Sequence, residues 1–226
     1  MFFIQSDLKK MPSSAEQAPQ VSSYSNSATK RAFDVMVSGV ALVFLMPFLA
    51  FLYAVVRLEG GAPALFKHTR IGRNGKAFSC LKFRTMVVDA DRRLEELLKD
   101  PVVAAEWKET QKLRHDPRIT KIGGFLRRTS LDELPQLWNI FVGDMSLVGP
   151  RPVTRSELSR YGAIVGCYLA VRPGLTGPWQ VGGRSNTTFS YRVELDRRYS
   201  VNSSFWGDMG YMFKTVGVIF GDRSAA

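Results

Sequence analysis

The sequence predicts a mainly helical α+β fold, with one domain behind an N-terminal membrane segment. Its 226 residues are enough to bury a sizeable core in a single domain. Residues Val35 to Val56 form an uncharged apolar run, and residues Phe78 to Phe83 form a strand-like patch among stretches with helical periodicity. A few short strands among several helices are typical of the α+β class.

Charge and cysteine content limit the possible partners and compartment. The 31 Lys and Arg residues exceed the 20 Asp and Glu residues, which gives a formal charge of +11. Such a balance suits an anionic partner: nucleic acid, a nucleotide or a lipid surface. Cys80 and Cys167 lie far apart and lack ligand spacing, which disfavours a disulfide framework or a zinc site and favours a reducing compartment. His68 and His115 are isolated, so we expect structural or solvated histidines.

The N-terminus divides into a tail and a membrane segment. Residues 1–29 are polar and rich in Ser and Gln, and they lack the pattern of a signal peptide. We therefore predict a flexible polar tail over residues 1–29, a membrane helix over residues 30–58, and one domain over residues 59–226.

Two topologies are open for the membrane segment. Its 22 uncharged residues would extend about 33 Å as a helix, which is enough to cross the hydrocarbon core. Lys30 and Arg31 precede the segment and Arg57 follows it, so the positive-inside rule gives no direction. Pro47 removes a backbone hydrogen bond near the middle. The helix could break there and return to the same leaflet, or it could span the membrane with a kink.

A basic hairpin is predicted directly after the membrane segment. Residues 67–84 carry six Lys and Arg side chains and no acid, with turns at Gly72 and Gly75. Cations near a membrane attract anionic head groups, by about 1 kcal/mol each. Lys82 and Arg84 could instead grip a substrate phosphate.

Helical periodicity indicates three further elements. Residues 89–112 show an apolar stripe with a solvated charged face, and Pro101 ends this helix or begins a second one. Apolar residues from Leu131 to Phe141 have the spacing of a helix face. The C-terminal stretch from Phe205 to Phe220 also forms an apolar helical face, and Trp206 suits a membrane interface, although a core helix would look similar.

The adjacent acids Asp132 and Glu133 are the strongest candidate for chemistry. They follow Arg127 and Arg128 and lie at the start of an apolar stretch. Carboxylates are ligands for a hard cation, and guanidiniums bind phosphate. The four residues together are therefore suited to phosphoryl transfer.

A structural explanation for the acids also exists. Ser130 and Glu133 have the spacing of a helix capping box, and acids near a helix start are favoured by the helix dipole. Pro135 weakens this version, because a helix that began at Ser130 would hold proline beyond its first turn. A helix that begins at Asp132 fits the sequence better.

Glycine and proline loops downstream carry more arginines. Arg151 lies between Pro150 and Pro152, and the fixed φ angles of the prolines pre-organise it. Residues 172–184 add further loops of this kind and end at Arg184. Such loops can present N–H groups and guanidiniums to a nucleotide diphosphate, although ordinary turns have the same composition.

These residues together resemble the bacterial sugar transferases, also called monotopic phosphoglycosyl transferases. The resemblance runs from Lys30 to about Gly221. Its motifs are Lys-Arg-Ala-Phe-Asp at 30–34, Lys-Phe-Arg-Thr-Met at 82–86, Arg-Arg-Thr-Ser-Leu-Asp-Glu-Leu-Pro-Gln-Leu-Trp-Asn at 127–139, Gly-Asp-Met-Ser-Leu-Val-Gly-Pro-Arg-Pro at 143–152 and Arg-Pro-Gly-Leu-Thr-Gly at 172–177. The chain is most similar to galactose-phosphate transferases that prime rhizobial exopolysaccharide, and glucose-phosphate transferases share these motifs. Its tail is longer than in minimal members and lacks the multi-span region of larger ones.

The resemblance implies an enzyme at the cytoplasmic face of the bacterial inner membrane. Members transfer a sugar 1-phosphate from a UDP-sugar to undecaprenyl phosphate and release UMP. Asp132 matches the family's nucleophile, which forms a covalent phosphosugar intermediate, and Glu133 matches the second member of its acidic pair. The membrane helix is then re-entrant and broken at Pro47, and the domain rests on the inner leaflet with amphipathic helices at the interface.

The resemblance also implies a cofactor and a set of binding residues. Mg²⁺ is expected at Asp132 and Glu133, because a carboxylate attacks a charged phosphate ester only when nearby charge is neutralised. The substrate-binding residues we predict are Arg127, Arg128, Arg151, Lys82, Arg84 and Arg184.

Two non-enzymatic alternatives make different predictions. A membrane-tethered basic module for nucleic acid would show salt-sensitive affinity and would not need Asp132. A membrane-anchored scaffold would keep polymer output after Asp132→Asn. The resemblance favours the enzyme and predicts no nucleic-acid partner.

Overall fold

A computed structural model describes residues 20–60, 63–110, 113–183 and 187–221, so Arg184 lies outside the described residues. The described part is mainly helical with two small sheets, which confirms the predicted class.

The apolar segment forms one long helix, α1, over Ala28–Gly60. Among the described residues it is the helix long and apolar enough to cross a membrane. Pro47 lies inside α1, and the helix assignment continues through it, so the predicted break does not divide the segment into two helices. Side chains before and after the proline pack against the domain: Val37 and Leu45 contact one core cluster, and Leu49 contacts another.

The predicted basic hairpin is confirmed. Strands β1, Leu65–Ile71, and β2, Ala77–Phe83, pair antiparallel with Phe66 opposite Lys82. Asn74 lies in the turn between them at φ 58°, a left-handed conformation that asparagine tolerates better than most residues.

The next helices follow the prediction in part. Helices α2, Ala90–Leu97, and α3, Pro101–Thr110, confirm that Pro101 begins a second helix. Helix α4 covers Lys121–Thr129, and helix α5 covers Gln136–Val142.

The acids lie between α4 and α5, on the 3₁₀ turn Leu131–Glu133. The prediction that a helix begins at Asp132 is therefore wrong. Pro135 is the N-cap of α5, where its missing N–H costs little. Ser130 adopts φ 56° and makes no side-chain capping bond to the turn, so the alternative of a capping box is excluded as well.

A parallel pair of short strands supports the second half of the chain. Strand β3, Ser146–Val148, pairs with β4, Gly174–Thr176. A Cβ atom on Gly174 would lie 2.1 Å from the Gly149 backbone nitrogen. The two backbones therefore approach each other so closely that position 174 requires glycine. The remaining helices are α6 Arg155–Leu158, α7 Val165–Leu169, α8 Pro178–Val181, α9 Phe189–Asn202 and α10 Phe205–Gly221.

The core joins the hairpin to the helix that follows the acids. Phe78 and Cys80 of β2 pack with Leu137 and Ile140 of α5. The Asn139 side chain reinforces this contact: its Oδ1 accepts from the Leu81 N–H at 2.9 Å, and its Nδ2 donates to the Ser79 carbonyl oxygen at 2.8 Å. The acidic turn is thereby fixed beside strand β2. Cys80 and Cys167 are buried free thiols.

The described end of the predicted tail contacts the domain. The Ser22 N–H donates to the Ser200 carbonyl oxygen at 2.9 Å, and the Asn26 amide donates to the Ala170 carbonyl oxygen at 2.9 Å. The Tyr24 hydroxyl donates to Asp208 Oδ2 at 3.1 Å. Ser22, Tyr24 and Asn26 are therefore held against α9, α10 and the end of α7.

Candidate active site

The acidic turn places two carboxylates in partly buried positions. The Asp132 side chain is 12% exposed and the Glu133 side chain is 24% exposed. The Glu133 N–H donates to the Ser130 carbonyl oxygen at 3.2 Å, which tightens the turn. Neither carboxylate is therefore fully hydrated, as it would be on an exposed surface.

Lys82 joins the acids to the hairpin. Its Nζ lies 2.6 Å from Glu133 Oε1 and 4.0 Å from Asp132 Oδ2. Arg151 adds a second cation, with Nη1 3.9 Å from the same Glu133 oxygen. The Lys82–Glu133 contact is a charge-assisted hydrogen bond, which is stronger than a neutral one, and the more distant Arg151 charge adds electrostatic attraction. Both cations therefore help to orient the acidic turn.

Burial raises the pKa of Asp132 above its ordinary value. The Lys82 and Arg127 charges lower this pKa, and the neighbouring Glu133 carboxylate raises it. Because the ionised form is poorly solvated, its negative charge depends on those two cations. Asp132 is thus a carboxylate whose charge state is set by its immediate neighbours, as is common at functional sites.

A small, open pocket lies beside the acids. Glu133 forms part of its wall, and Asp132 is the adjacent residue on the turn. Three cationic side chains line it with Glu133: Arg70, Lys82 and Arg151. A pocket with this excess of positive charge is suited to a phosphate-rich ligand.

Residues 25–222 match the sequence profile of the family described as bacterial sugar transferase. The chain belongs to the bacterial sugar transferase family.

Curated relatives agree with this family. The chain is 50% identical over 197 residues to the UDP-galactose-lipid carrier transferase of Erwinia amylovora, a match that covers 87% of this chain and 41% of that protein. It is 48% identical to the undecaprenyl-phosphate galactose phosphotransferase of Salmonella typhimurium, over 84% of this chain and 40% of that protein. It is 46% identical to the exopolysaccharide production protein ExoY of Sinorhizobium fredii, over 83% of this chain and 84% of that protein. The chain thus spans about two fifths of the length of the first two.

Arg151 of this family member is held from several directions. Its guanidinium carbon lies 5.4 Å from the centroid of the Trp179 ring, a cation–π contact. Its carbonyl oxygen accepts from Arg192 Nη2 at 3.3 Å. The flanking prolines and these contacts together aim the Arg151 guanidinium toward Glu133.

Arg70 is a pocket residue that sequence reasoning missed, because the sequence placed it among cations that attract lipid. Its Nη1 donates to Glu157 Oε2 at 2.9 Å and to the Pro152 carbonyl oxygen at 3.2 Å. The register of the hairpin was the signal that could have placed Arg70 at the pocket. Side chains two apart on a strand share a face, so Arg70 shares the face of His68, which pairs with the pocket residue Cys80.

The other predicted residues differ in how directly they act on the acids. Arg127 donates from Nε to Thr85 Oγ1 at 2.8 Å, and its charge reaches Asp132. Arg84 donates to the Pro63 carbonyl oxygen at 2.8 Å, and Arg128 is exposed on α4. The structure therefore brings together both acids and the following cations: Lys82, Arg127 and Arg151.

The acidic pair fits Mg²⁺ by the chemistry of its donors. Mg²⁺ usually takes one or two carboxylates and completes its shell with water and substrate phosphate oxygens. Within the described ranges there is no cluster of three or more His, Cys, Asp and Glu residues. Asp132 and Glu133 would hold the ion together with a phosphate ligand, and Lys82 contacts the same carboxylates.

Proposed function

We propose that this chain transfers galactose 1-phosphate from UDP-galactose to undecaprenyl phosphate and releases UMP, as the first membrane step of exopolysaccharide synthesis. The observation that carries the proposal is the buried Asp132, next to Glu133 and a pocket lined by cations. The names of the Erwinia and Salmonella relatives favour galactose. Transfer of glucose 1-phosphate by the same chemistry is the alternative.

The reaction has two displacement steps at one phosphorus atom. An Asp132 carboxylate oxygen attacks the sugar-bearing phosphorus, the bond from that phosphorus to the bridging oxygen breaks, and UMP leaves with the electron pair. An oxygen of undecaprenyl phosphate then attacks the same phosphorus. The acyl-phosphate bond breaks, and Asp132 returns to its carboxylate form. Covalent catalysis of this kind divides one difficult transfer into two easier ones.

The cations around the acids supply the charge that both steps need. Lys82, Arg127 and Arg151 would bind the diphosphate and offset the negative charge on the reacting groups. Bound Mg²⁺ would neutralise further charge on the diphosphate. Glu133 would assist the acceptor phosphate or help to hold the metal ion.

A direct assay tests this function. UMP release is measured for detergent-solubilised protein with UDP-galactose or UDP-glucose, undecaprenyl phosphate and Mg²⁺. We expect release with UDP-galactose, a lower kcat/KM with UDP-glucose, and loss of release when EDTA removes the metal. A higher kcat/KM with UDP-glucose would establish the glucose alternative, and no release with any UDP-sugar would refute the proposal.

The contacts of α1 support a re-entrant topology on the cytoplasmic face of the inner membrane. Near the start of the helix, Arg31 Nη1 donates to the Ile140 carbonyl oxygen at 2.7 Å. Near its end, Glu59 Oε1 accepts from the Ile122 N–H at 3.1 Å. A helix with both ends against one domain keeps both ends on one side of the bilayer. UDP-sugars are cytosolic, so we assign that side to the cytoplasm.

Cysteine labelling distinguishes the two topologies. We expect Thr29→Cys, before the apolar run, and Lys99→Cys, in the domain, to be protected from a membrane-impermeant maleimide in intact cells. Both sites should react in inside-out vesicles. Labelling of Thr29→Cys but not Lys99→Cys in intact cells would establish a spanning helix.

The pH dependence of the first step should move when Lys82 is neutralised. Only ionised Asp132 attacks the phosphorus. The rate of the first step therefore falls as the pH drops through the pKa of Asp132, which burial has raised. The Lys82 charge lowers this pKa, and Lys82→Gln should therefore shift the acid limb of UMP release to higher pH. Single-turnover rates across pH measure the shift, with exposed Lys99→Gln as the control. An unchanged or lower acid limb in Lys82→Gln would contradict the prediction.

A further inference from the structure

One face of the hairpin carries a row of side chains from the end of the membrane helix to the pocket. Lys82 lies directly opposite Phe66, and the Arg84 N–H extends the ladder by donating to the Ala64 carbonyl oxygen at 2.7 Å. Opposed residues in an antiparallel pair share a face, as do residues two apart on one strand. Phe66 therefore lies between Arg84 and His68 along one face, with Lys82 across from it.

Contacts connect this row along its length. The Arg84 guanidinium carbon lies 5.8 Å from the Phe66 ring centroid, and the Phe66 and His68 ring centroids are 5.8 Å apart. His68 Nδ1 is in turn 3.3 Å from Arg70 Nη2, and Arg70 lines the pocket. The row is thus continuous from Arg84 to the pocket.

Arg84 and Phe66 have capacity for a ligand. The Arg84 hydrogen bond to Pro63 uses Nε, and its two terminal nitrogens have no hydrogen-bonding partner among the described residues. Phe66 is 42% exposed. A guanidinium with available donors beside an exposed aromatic ring matches a molecule that has a phosphate head and a hydrocarbon chain.

The Arg84 end of the row is the end that meets the membrane helix. Phe83, which precedes Arg84, and Ala64, which lies opposite Arg84, pack against Leu52 and Val56 of α1. Leu58, in the last turn of the same helix, is 84% exposed. A lipid that leaves the bilayer along α1 would reach Arg84 before it reached the pocket.

The opposite end of the row has a different chemistry. Arg70 and Arg151 line the pocket there with polar Gln180 and the backbone of Gly174. Lys82 lies between the two ends and contacts Glu133. Lys82 therefore connects both ends of the row to the acidic turn.

We propose that Arg84 and Phe66 form the entry site for the acceptor lipid: Arg84 binds the phosphate of undecaprenyl phosphate, and Phe66 contacts its first isoprene units. This site is separate from the pocket that takes the nucleotide sugar, and it rests on the proposed function. The two substrates would approach the acidic turn from opposite ends of one hairpin face.

Two half-reactions separate this site from the nucleotide pocket. Exchange of labelled UMP into UDP-galactose without lipid reports the first step, and kcat/KM for undecaprenyl phosphate reports the second. In Arg84→Gln and Phe66→Ala, the ratio of kcat/KM for undecaprenyl phosphate to the rate of UMP exchange should fall at least tenfold. Arg84→Lys keeps the charge and should recover part of the loss. In Lys67→Gln, an exposed residue of β1 on its outer face, the ratio should stay within twofold of the wild-type value.

Three results would overturn the site. Equal loss of both quantities in Arg84→Gln would mean that Arg84 serves the nucleotide pocket or membrane docking. A loss that appears only when anionic phospholipid is added to neutral micelles would mean that Arg84 binds bulk head groups. An unchanged ratio would exclude Arg84 from acceptor binding. Absence of UMP exchange in the wild-type protein is a different failure, because it would refute the proposed function and the site with it.

Discussion

Replacing Asp132 by asparagine is expected to lower UMP release by about a thousandfold or more. The amide keeps the size of the side chain but cannot form the acyl-phosphate bond to the sugar phosphate. It also removes the charge that Lys82 and Arg127 face. UMP exchange without lipid, measured on purified protein, should be lost together with turnover, because both depend on the first displacement.

Two comparison variants make this result specific. Asp91→Asn makes the same chemical change on an exposed face of α2 and should retain wild-type activity. Glu133→Gln should lower turnover and keep measurable exchange if Glu133 acts mainly on the acceptor. Thermal unfolding checks that each variant is folded. UMP exchange at the wild-type rate in Asp132→Asn would exclude Asp132 as the nucleophile.

Local sequence signals predicted the elements that depend on local chemistry. The hairpin follows from glycine turns and strand-forming residues between 67 and 84, and Pro101 begins α3 because proline fits the first turn of a helix. The same reasoning failed at the acids. The left-handed Ser130 ends α4, and the chain makes a 3₁₀ turn before Pro135 caps α5. The few residues between the end of one helix and the start of the next show no helical periodicity from which the boundary could be predicted.

The site depends on contacts that join distant parts of the chain. Motifs identified both acids and the cations Lys82 and Arg151, but the pairing of Lys82 with Glu133 arises because Asn139 and the core fix β2 beside the acidic turn. Trp179 lies among the predicted loops of residues 172–184, and it contacts Arg151 because β3 and β4 pair and bring the two loops together. Side-chain partners 28 or 51 positions apart cannot be derived from spacing.

Replacing Lys30 by methionine is expected to lower the free energy of unfolding by about 3–5 kcal/mol. The Lys30 and Asp208 side chains are 6% and 3% exposed, and they form an ion pair at the junction of α1 and α10. The Lys30 ammonium also donates to the Val148 carbonyl oxygen at 3.2 Å. Methionine would fill similar space and leave the Asp208 carboxylate buried without its cation.

The loss can be assigned to the uncompensated charge by a double variant. Lys30→Met with Asp208→Leu removes both charges and should be less destabilised than Lys30→Met alone, although the hydroxyls of Tyr24 and Tyr199 then lose their acceptor. Denaturant unfolding in detergent measures both changes. Arg93→Met, which breaks an exposed pair with Asp89, should change stability far less. If the double variant is the less stable of the two, the buried unpaired charge is not the cause of the loss, and the hydrogen bonds that Asp208 accepts from Tyr24 and Tyr199 outweigh it.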